Sequence, residues 1–116
     1  MLTCSIVYAS LHTNARRLSE SMVGALDRGQ CIYVGLPHDN ALYADVLFWG
    51  GNTDTLTPEI QAFLEKAKQK NKIIVPYGHL CKGGAKDLYA IGAYARTVMH
   101  NVAVRLEEMK SEQQTT

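Results

Sequence analysis

The sequence lacks the features that mark membrane proteins and nucleic-acid-binding proteins. Its net charge over 116 residues is only +1, which gives no general attraction to nucleic acid or to a membrane surface. No apolar run approaches the roughly 20 residues needed to cross a bilayer. The chain starts with an apolar strand pattern at Met1–Cys4 instead of a basic signal segment. We therefore expect a protein of the cytoplasm that binds neither nucleic acid nor a membrane.

Cysteine is also scarce, and its arrangement argues against a structural metal site. The three cysteines Cys4, Cys31 and Cys81 do not form the closely spaced pairs that structural zinc sites use. Cys4 and Cys31 lie in apolar runs that are typical of buried thiols. Only His79 and Cys81 are close together in the sequence, which is a weak indication of metal binding. We expect no bound metal.

Missing motifs disfavour two further classes of protein. There is no Gly-x-Ser-x-Gly sequence and no recognisable set of Cys, His and Asp, which argues against a hydrolase. No acidic cluster follows the first apolar run, where a response-regulator-like domain needs carboxylates for magnesium. The composition, 47% hydrophobic and 20% charged, is that of an ordinary globular protein. The length of 116 residues is that of one domain.

Short apolar runs alternate with segments of helical periodicity. We predict four β-strands, at residues 4–9, 30–35, 44–51 and 72–77. Helical patterns begin at Leu18, at Pro58 after a Thr57 N-cap, and at Ala85. Because strands alternate with helices through short loops, we predict a single α/β domain over residues 1–116. It is a three-layer α/β/α sandwich with a doubly wound parallel sheet in the order 2-1-3-4.

The sequence beyond residue 100 fits two structures. Val102, Leu106 and Met109 continue the helical stripe, whereas residues 102–106 also alternate like a strand. We favour a fifth strand over Val102–Leu106, because it would cover an open sheet edge. If the segment is helical instead, we expect a homodimer that covers that edge or pairs the long helix with its mate. The polar residues 110–116 are expected to form a frayed tail.

Three polar or glycine-rich loops follow the first, third and fourth predicted strands. Ligands of doubly wound sheets bind at the carboxyl ends of the strands where the strand order reverses, so these loops frame one crevice. The first loop leads into a helix, whose N-terminus has unpaired N–H groups and about half a positive charge, suited to a phosphate. Its hydroxyl and amide side chains fit either an anion site or an ordinary N-cap. The three loops are Ser10–Ala15, Asn52–Leu56 and Gly78–Gly84.

Four segments in this order resemble the flavodoxin family. Ser10–Ala15 stands where flavodoxins carry the phosphate loop Thr/Ser-x-Thr-Gly-x-Thr. Residues 44–51 (ADVLFWGG) look like the family's D-x-x-x-x-G-x-P strand, and residues 56–60 (LTPEI) look like its L-P-P-E-I/V helix start. Tyr77-Gly78, followed by Gly83-Gly84-Ala85, is similar to the F-G…G-G-A stretch after strand four. The resemblance covers about residues 3–100 and makes the chain flavodoxin-like.

The resemblance implies non-covalent FMN and a function in electron transfer, or as a small flavin reductase, with an unidentified redox partner protein. The residues that it implies around the phosphate are Ser10, Leu11, His12, Thr13, Asn14 and Ala15. It implies Asn52, Thr53 and Asp54 on one side of the isoalloxazine, and Tyr77, Gly78, His79 and Leu80 on the other. No catalytic side chain is predicted, because the flavin would carry the redox chemistry. For Trp49 and Tyr77, which lie in or at the end of strands, core packing is the favoured role.

The phosphate loop departs from the flavodoxin pattern. His12 and Ala15 replace threonines, so two hydroxyl donors are missing, and Thr13 replaces a glycine. Arg16 and Arg17 either supply replacement charge or lie on a solvated helix face. These departures keep a second hypothesis open, a flavodoxin-like domain that has lost FMN and acts as a protein-binding or assembly module.

Overall fold

The computed structural model describes residues 2–9, 15–51, 56–77 and 87–114 of the chain, and in them strands alternate with helices. The strands are β1 (Cys4–Tyr8), β2 (Cys31–Gly35), β3 (Val46–Gly50) and β4 (Ile73–Pro76). The α-helices are α1 (Ala15–Ala25), α2 (Pro58–Gln69) and α3 (Asp87–Gln114). A short 3-10 helix, Asp39–Tyr43, lies between β2 and β3.

The four strands form one parallel sheet in the order β2-β1-β3-β4, which confirms the prediction. Ile6 of the central strand β1 lies opposite Val34 of β2 and opposite Phe48 of β3. On the other side of β3, Phe48 lies opposite Val75 of β4. β2 lies on one side of β1, and β3 and β4 follow in that order on the other side. This is a doubly wound, flavodoxin-like sheet, with its switch point at the carboxyl ends of β1 and β3.

Helices cover both faces of the sheet, so the domain has three layers. Successive residues of a strand point to opposite faces, and β1 and β3 are buried on both, as central parallel strands are. The face covered by α1 and α3 contains Cys4, Ile6, Tyr8, Leu18, Met22, Val46, Phe48, Tyr77, Ile91, Ala95 and Met99. The face covered by α2 and the 3-10 helix contains Val7, Ala41, Leu42, Leu47, Trp49, Ile60, Phe63 and Ala67.

The start of α2 follows the signals in its sequence. The side-chain oxygen of Thr57 accepts a hydrogen bond from the N–H of Ile60 at 3.2 Å, and Pro58 occupies the first helical position. Ile60, Phe63 and Ala67 then recur at helical spacing and are buried against the sheet. The predicted N-cap and the predicted start of this helix are both confirmed.

The predicted fifth strand over Val102–Leu106 is wrong, because α3 continues without a break through this segment. Ile91, Ala95 and Met99 are buried one helical turn apart, and Val102 continues their stripe as a partly buried residue. The helix thus keeps Val102 against the core without a chain reversal. The predicted helix start at Ala85 lies outside the described residues.

The second half of α3 is exposed. Every side chain from Val104 to Lys110 is exposed, including the apolar side chains of Val104, Leu106 and Met109. The helix continues into the predicted tail as far as Gln114. Neither α3 nor any other helix in the described ranges is long and apolar enough to cross a membrane.

The two edge strands of the sheet differ in how they are protected. On β4, Pro76 has no N–H to offer to another strand, and its carbonyl accepts a hydrogen bond from the Tyr94 hydroxyl at 3.0 Å. By contrast, β2 contains neither a proline nor a charged residue, and its Ile32 and Val34 are 45% and 41% exposed. The β2 edge of this sheet is therefore less protected than the β4 edge.

Candidate functional site

The strand ends from which the three predicted loops start lie side by side. Tyr8 at the end of β1 is opposite Gly50 of β3, and Trp49 of β3 is opposite Pro76 of β4. Two of the predicted site residues, Ala15 and Tyr77, belong to the described chain. The others lie outside the described residues: Ser10, Leu11, His12, Thr13, Asn14, Asn52, Thr53, Asp54, Gly78, His79 and Leu80.

The first turn of α1 at this edge carries two adjacent positive charges. Ala15 is the first residue of α1, and Arg16 and Arg17 follow with exposed side chains. The first turn contains no acidic residue. In α2, by contrast, Thr57 caps the helix and Glu59 supplies a negative charge in the first turn. A helix N-terminus is itself positive, so Arg16 and Arg17 add charge of the same sign to it. A bound anion would compensate this positive charge.

A hydrogen bond and buried side chains anchor the first turns of α1. The Ser19 hydroxyl is buried and donates a hydrogen bond to the Arg16 carbonyl at 2.6 Å. Leu18 and Met22 are buried between the sheet and α3. Farther along α1, the helix lies close to α3 at Gly92, where an added Cβ would come within 3.1 Å of another side chain. The backbone carbonyl of Arg16 is therefore bound by Ser19, while its side chain is exposed.

Tyr77 is fully buried in the core under α1 and α3. Its backbone N–H donates to the Trp49 carbonyl at 2.8 Å, which continues the ladder beyond β4. Its ring covers Gly50, so closely that a Cβ at Gly50 would overlap the ring. Trp49 is buried on the opposite face of the sheet. Both aromatic side chains therefore have the favoured packing role.

The close approach of Gly50 to Tyr77 was not anticipated from the sequence. Glycine inside a buried strand is a signal for such an approach, since it weakens the strand unless another group needs the space. Gly50 ends the otherwise apolar run of β3 and is itself buried. The contact sets the position of the chain that leaves β4 toward the predicted loop at Gly78.

A groove of about 550 Å³ opens beside the carboxyl ends of β1 and β2, and the sequence did not indicate it. Its volume lies in the range of small-molecule sites, about 300–1,000 Å³. Its lining includes an ion pair, in which Lys66 Nζ of α2 lies 3.1 Å from Asp39 Oδ1 of the 3-10 helix. The groove is lined by Ala9, Leu36, Pro37, Asp39, Glu59, Ile60, Ala62, Phe63 and Lys66. It begins at Ala9, directly before the predicted phosphate loop.

Short-range contacts order the β2 side of this groove. The Tyr33 hydroxyl donates to the Leu36 carbonyl, and the His38 imidazole accepts from the Asn40 N–H at 3.0 Å. The rings of Tyr33 and His38 stack with their centroids 6.2 Å apart. Burial, and to a smaller extent the neighbouring Tyr8, raises the pKa of Tyr33. This wall is preformed.

Comparison with protein-family models, with curated proteins and with solved structures found no match. The fold class rests on the strand order and the three layers. Within the described ranges, no three His, Cys, Asp or Glu side chains are grouped to hold a metal ion. The described part of the candidate site therefore consists of a positive helix start and a mainly apolar groove with a charged rim.

Proposed function

We propose that the protein binds FMN at the carboxyl edge of its sheet and acts in electron transfer or as a small flavin reductase. The observation that carries this proposal is the positive start of α1 beside the switch point. Arg16 and Arg17 lie where the helix dipole disfavours positive charge, by about 0.3–1 kcal/mol for each exposed group. A phosphate bound at this point would relieve the repulsion and would form charge-assisted hydrogen bonds.

The rest of the FMN site follows from the resemblance to flavodoxins. The loop Ser10–Ala15 would hold the phosphate, and the ring would lie between Asn52–Asp54 and Gly78–Leu80, while Tyr77 stays in the core. When bound, the flavin supplies the electron-transfer chemistry, while the protein orients it and controls access. Support comes from the doubly wound sheet, in which the starts of all three loops meet at one edge. The partner would be a redox protein of the cytoplasm.

Titration with FMN tests this proposal, and riboflavin, which lacks the phosphate, is the matched ligand. We expect FMN to bind more tightly than riboflavin, as measured by flavin fluorescence. Replacing Arg16 and Arg17 together by Ala should weaken FMN by roughly 1–2 kcal/mol, or about 5- to 30-fold, and leave riboflavin unchanged.

The control variant removes two positive charges from the exposed half of α3, with Arg105 and Lys110 both replaced by Ala. It should bind FMN like the wild type, which separates a local phosphate contact from a change in net charge. Absence of any fluorescence change at about 100 μM FMN, which corresponds to binding weaker than about 5.5 kcal/mol, would contradict the proposal. Equal affinity for FMN and riboflavin would contradict the phosphate site.

A second candidate function is a flavin-free assembly module, which the exposed half of α3 favours. Val102, Leu106 and Met109 lie on one face of the helix, and Leu106 and Met109 are 36% and 48% exposed. Pairing of this stripe with a second copy would bury it in a homodimer. The β4 edge is a poorer dimer surface, because Pro76 cannot donate a hydrogen bond. A stable monomer in sedimentation experiments would contradict this function.

A further inference from the structure

Two cysteines lie side by side in the sheet. Cys4 of β1 and Cys31 of β2 are direct partners in the parallel ladder, and both face the layer of α1 and α3. Neighbouring strands lie about 4.8 Å apart, inside the range of about 4.4–6.8 Å between the Cα atoms of disulfide-bonded residues. Both cysteines are free thiols in this structure.

The ladder is irregular at this pair. Cys4 is opposite Cys31, but the next residue, Ser5, is opposite Tyr33, so Ile32 is an extra residue in β2. Such a bulge interrupts the regular hydrogen bonds of an edge strand and bends it locally. Because β2 pairs with β1 only, the backbone around Cys31 has more freedom to adjust than a central strand would have.

The two thiols differ in access and in acidity. Cys4 is fully buried, whereas Cys31 is partly exposed. The neighbouring Cys31 thiol and burial raise the pKa of Cys4, whereas the Cys4 thiol lowers the pKa of Cys31 and burial opposes that lowering. The Cys31 thiol donates a hydrogen bond to the Tyr33 carbonyl oxygen at 3.5 Å. Because Cys31 is the more accessible of the two, it is the attacking thiol of the pair, and Cys4 is in place to react second.

We propose that Cys4 and Cys31 are a redox-active dithiol, which a small disulfide such as oxidised glutathione converts to an intramolecular disulfide. Ionised Cys31 attacks one glutathione sulfur, the glutathione S–S bond breaks, and one glutathione thiolate leaves and takes up a proton. Cys4 then loses its proton and attacks the Cys31 sulfur of the mixed disulfide. The second glutathione leaves as a thiolate and takes up that proton. Two protein thiols are oxidised, and one glutathione disulfide is reduced to two thiols.

Peptide mapping of the full-length protein tests this proposal. The reduced protein is incubated with oxidised glutathione, its remaining thiols are alkylated, and it is digested with trypsin without reduction. Cleavage after Arg16, Arg28 and Lys66 places Cys4 and Cys31 in separate peptides. We expect these peptides to be linked, with a mass about 2 Da below the sum of the two free-thiol peptides, because two hydrogens are lost.

Single substitutions separate the two steps. Cys4→Ser should leave glutathione trapped on Cys31, because the second thiol is missing, whereas Cys31→Ser should leave Cys4 unmodified. Cys81→Ser is the matched control and should form the same linked peptides as the wild type. Links from Cys31 to Cys81, or a wild-type protein that retains glutathione on Cys31 without forming the link, would overturn the proposal. Mapping of the wild type needs no variant, so a poorly folded Cys4→Ser protein leaves the test intact.

Discussion

Replacing Gly50 by Ala tests the packing between the third and fourth strands. A Cβ at Gly50 would overlap the ring of Tyr77, which is fully buried and belongs to the main core cluster. An aromatic ring in a filled core cannot move aside as the end of a flexible side chain would. Overpacking typically costs about 1–3 kcal/mol, and a direct overlap with a buried ring belongs at the upper end. We therefore expect Gly50→Ala to lower the free energy of unfolding by about 3 kcal/mol.

Urea denaturation of three further variants shows whether this cost arises from the ring. Gly24→Ala is the matched control, because no atom lies within 4 Å of a Cβ added there, and it should stabilise α1 by about 0.5–1 kcal/mol. Tyr77→Leu should destabilise the protein through a cavity. The double variant of Gly50→Ala with Tyr77→Leu should be more stable than the sum of the single effects predicts, by at least about 1 kcal/mol. A Gly50→Ala protein as stable as the wild type would refute the reasoning.

Three further predictions concern the ligand loop, the exposed half of α3 and the partly buried phenol of Tyr33. Replacing Ser10 and Asn14 together by Ala should weaken FMN by roughly 1–3 kcal/mol in the fluorescence titration, as expected for one or two hydrogen bonds to a charged group. If the chain is a dimer, replacing Leu106 and Met109 by Asp should yield monomers in sedimentation, because the charges would be buried unpaired. The raised pKa of Tyr33 means that the unfolded chain releases this proton first. Stability should therefore fall as the pH rises past about 10, and Tyr33→Phe should weaken that dependence in urea denaturation.

The strand order and most element bounds could be predicted because buried parallel strands have a distinctive composition. The run from residue 44 to 51 is apolar almost throughout, and the structure places β3 at Val46–Gly50. The N-cap and proline at the start of α2 are local signals that need no tertiary information. These features could be predicted because the local preference and the tertiary structure favour the same conformation.

The prediction of a fifth strand was wrong because the pattern of residues 102–106 fits both a strand and a helix. Val102-Ala103-Val104 alternates like a strand, while Val102 also continues the stripe of Met99. Only the position of α1, against which this stripe packs, decides between them. The sequence alone also could not predict the Gly50–Tyr77 contact or the groove beside α2, because each joins segments that are distant in the sequence. For the predicted FMN residues outside the described part of the chain, the sequence remains the basis of the prediction.

The central claim is that a phosphate binds at the start of α1, and NMR spectroscopy of the labelled amide groups tests it most directly. During titration with FMN, we expect the amide signals of Arg16 and Arg17 to shift, because they belong to the positive first turn of the helix. Riboflavin should leave these two signals in place, and neither ligand should move the signal of Arg105 on α3. Two results would contradict the phosphate site. One is that FMN and riboflavin shift the Arg16 and Arg17 signals equally, and the other is that FMN does not shift them at all.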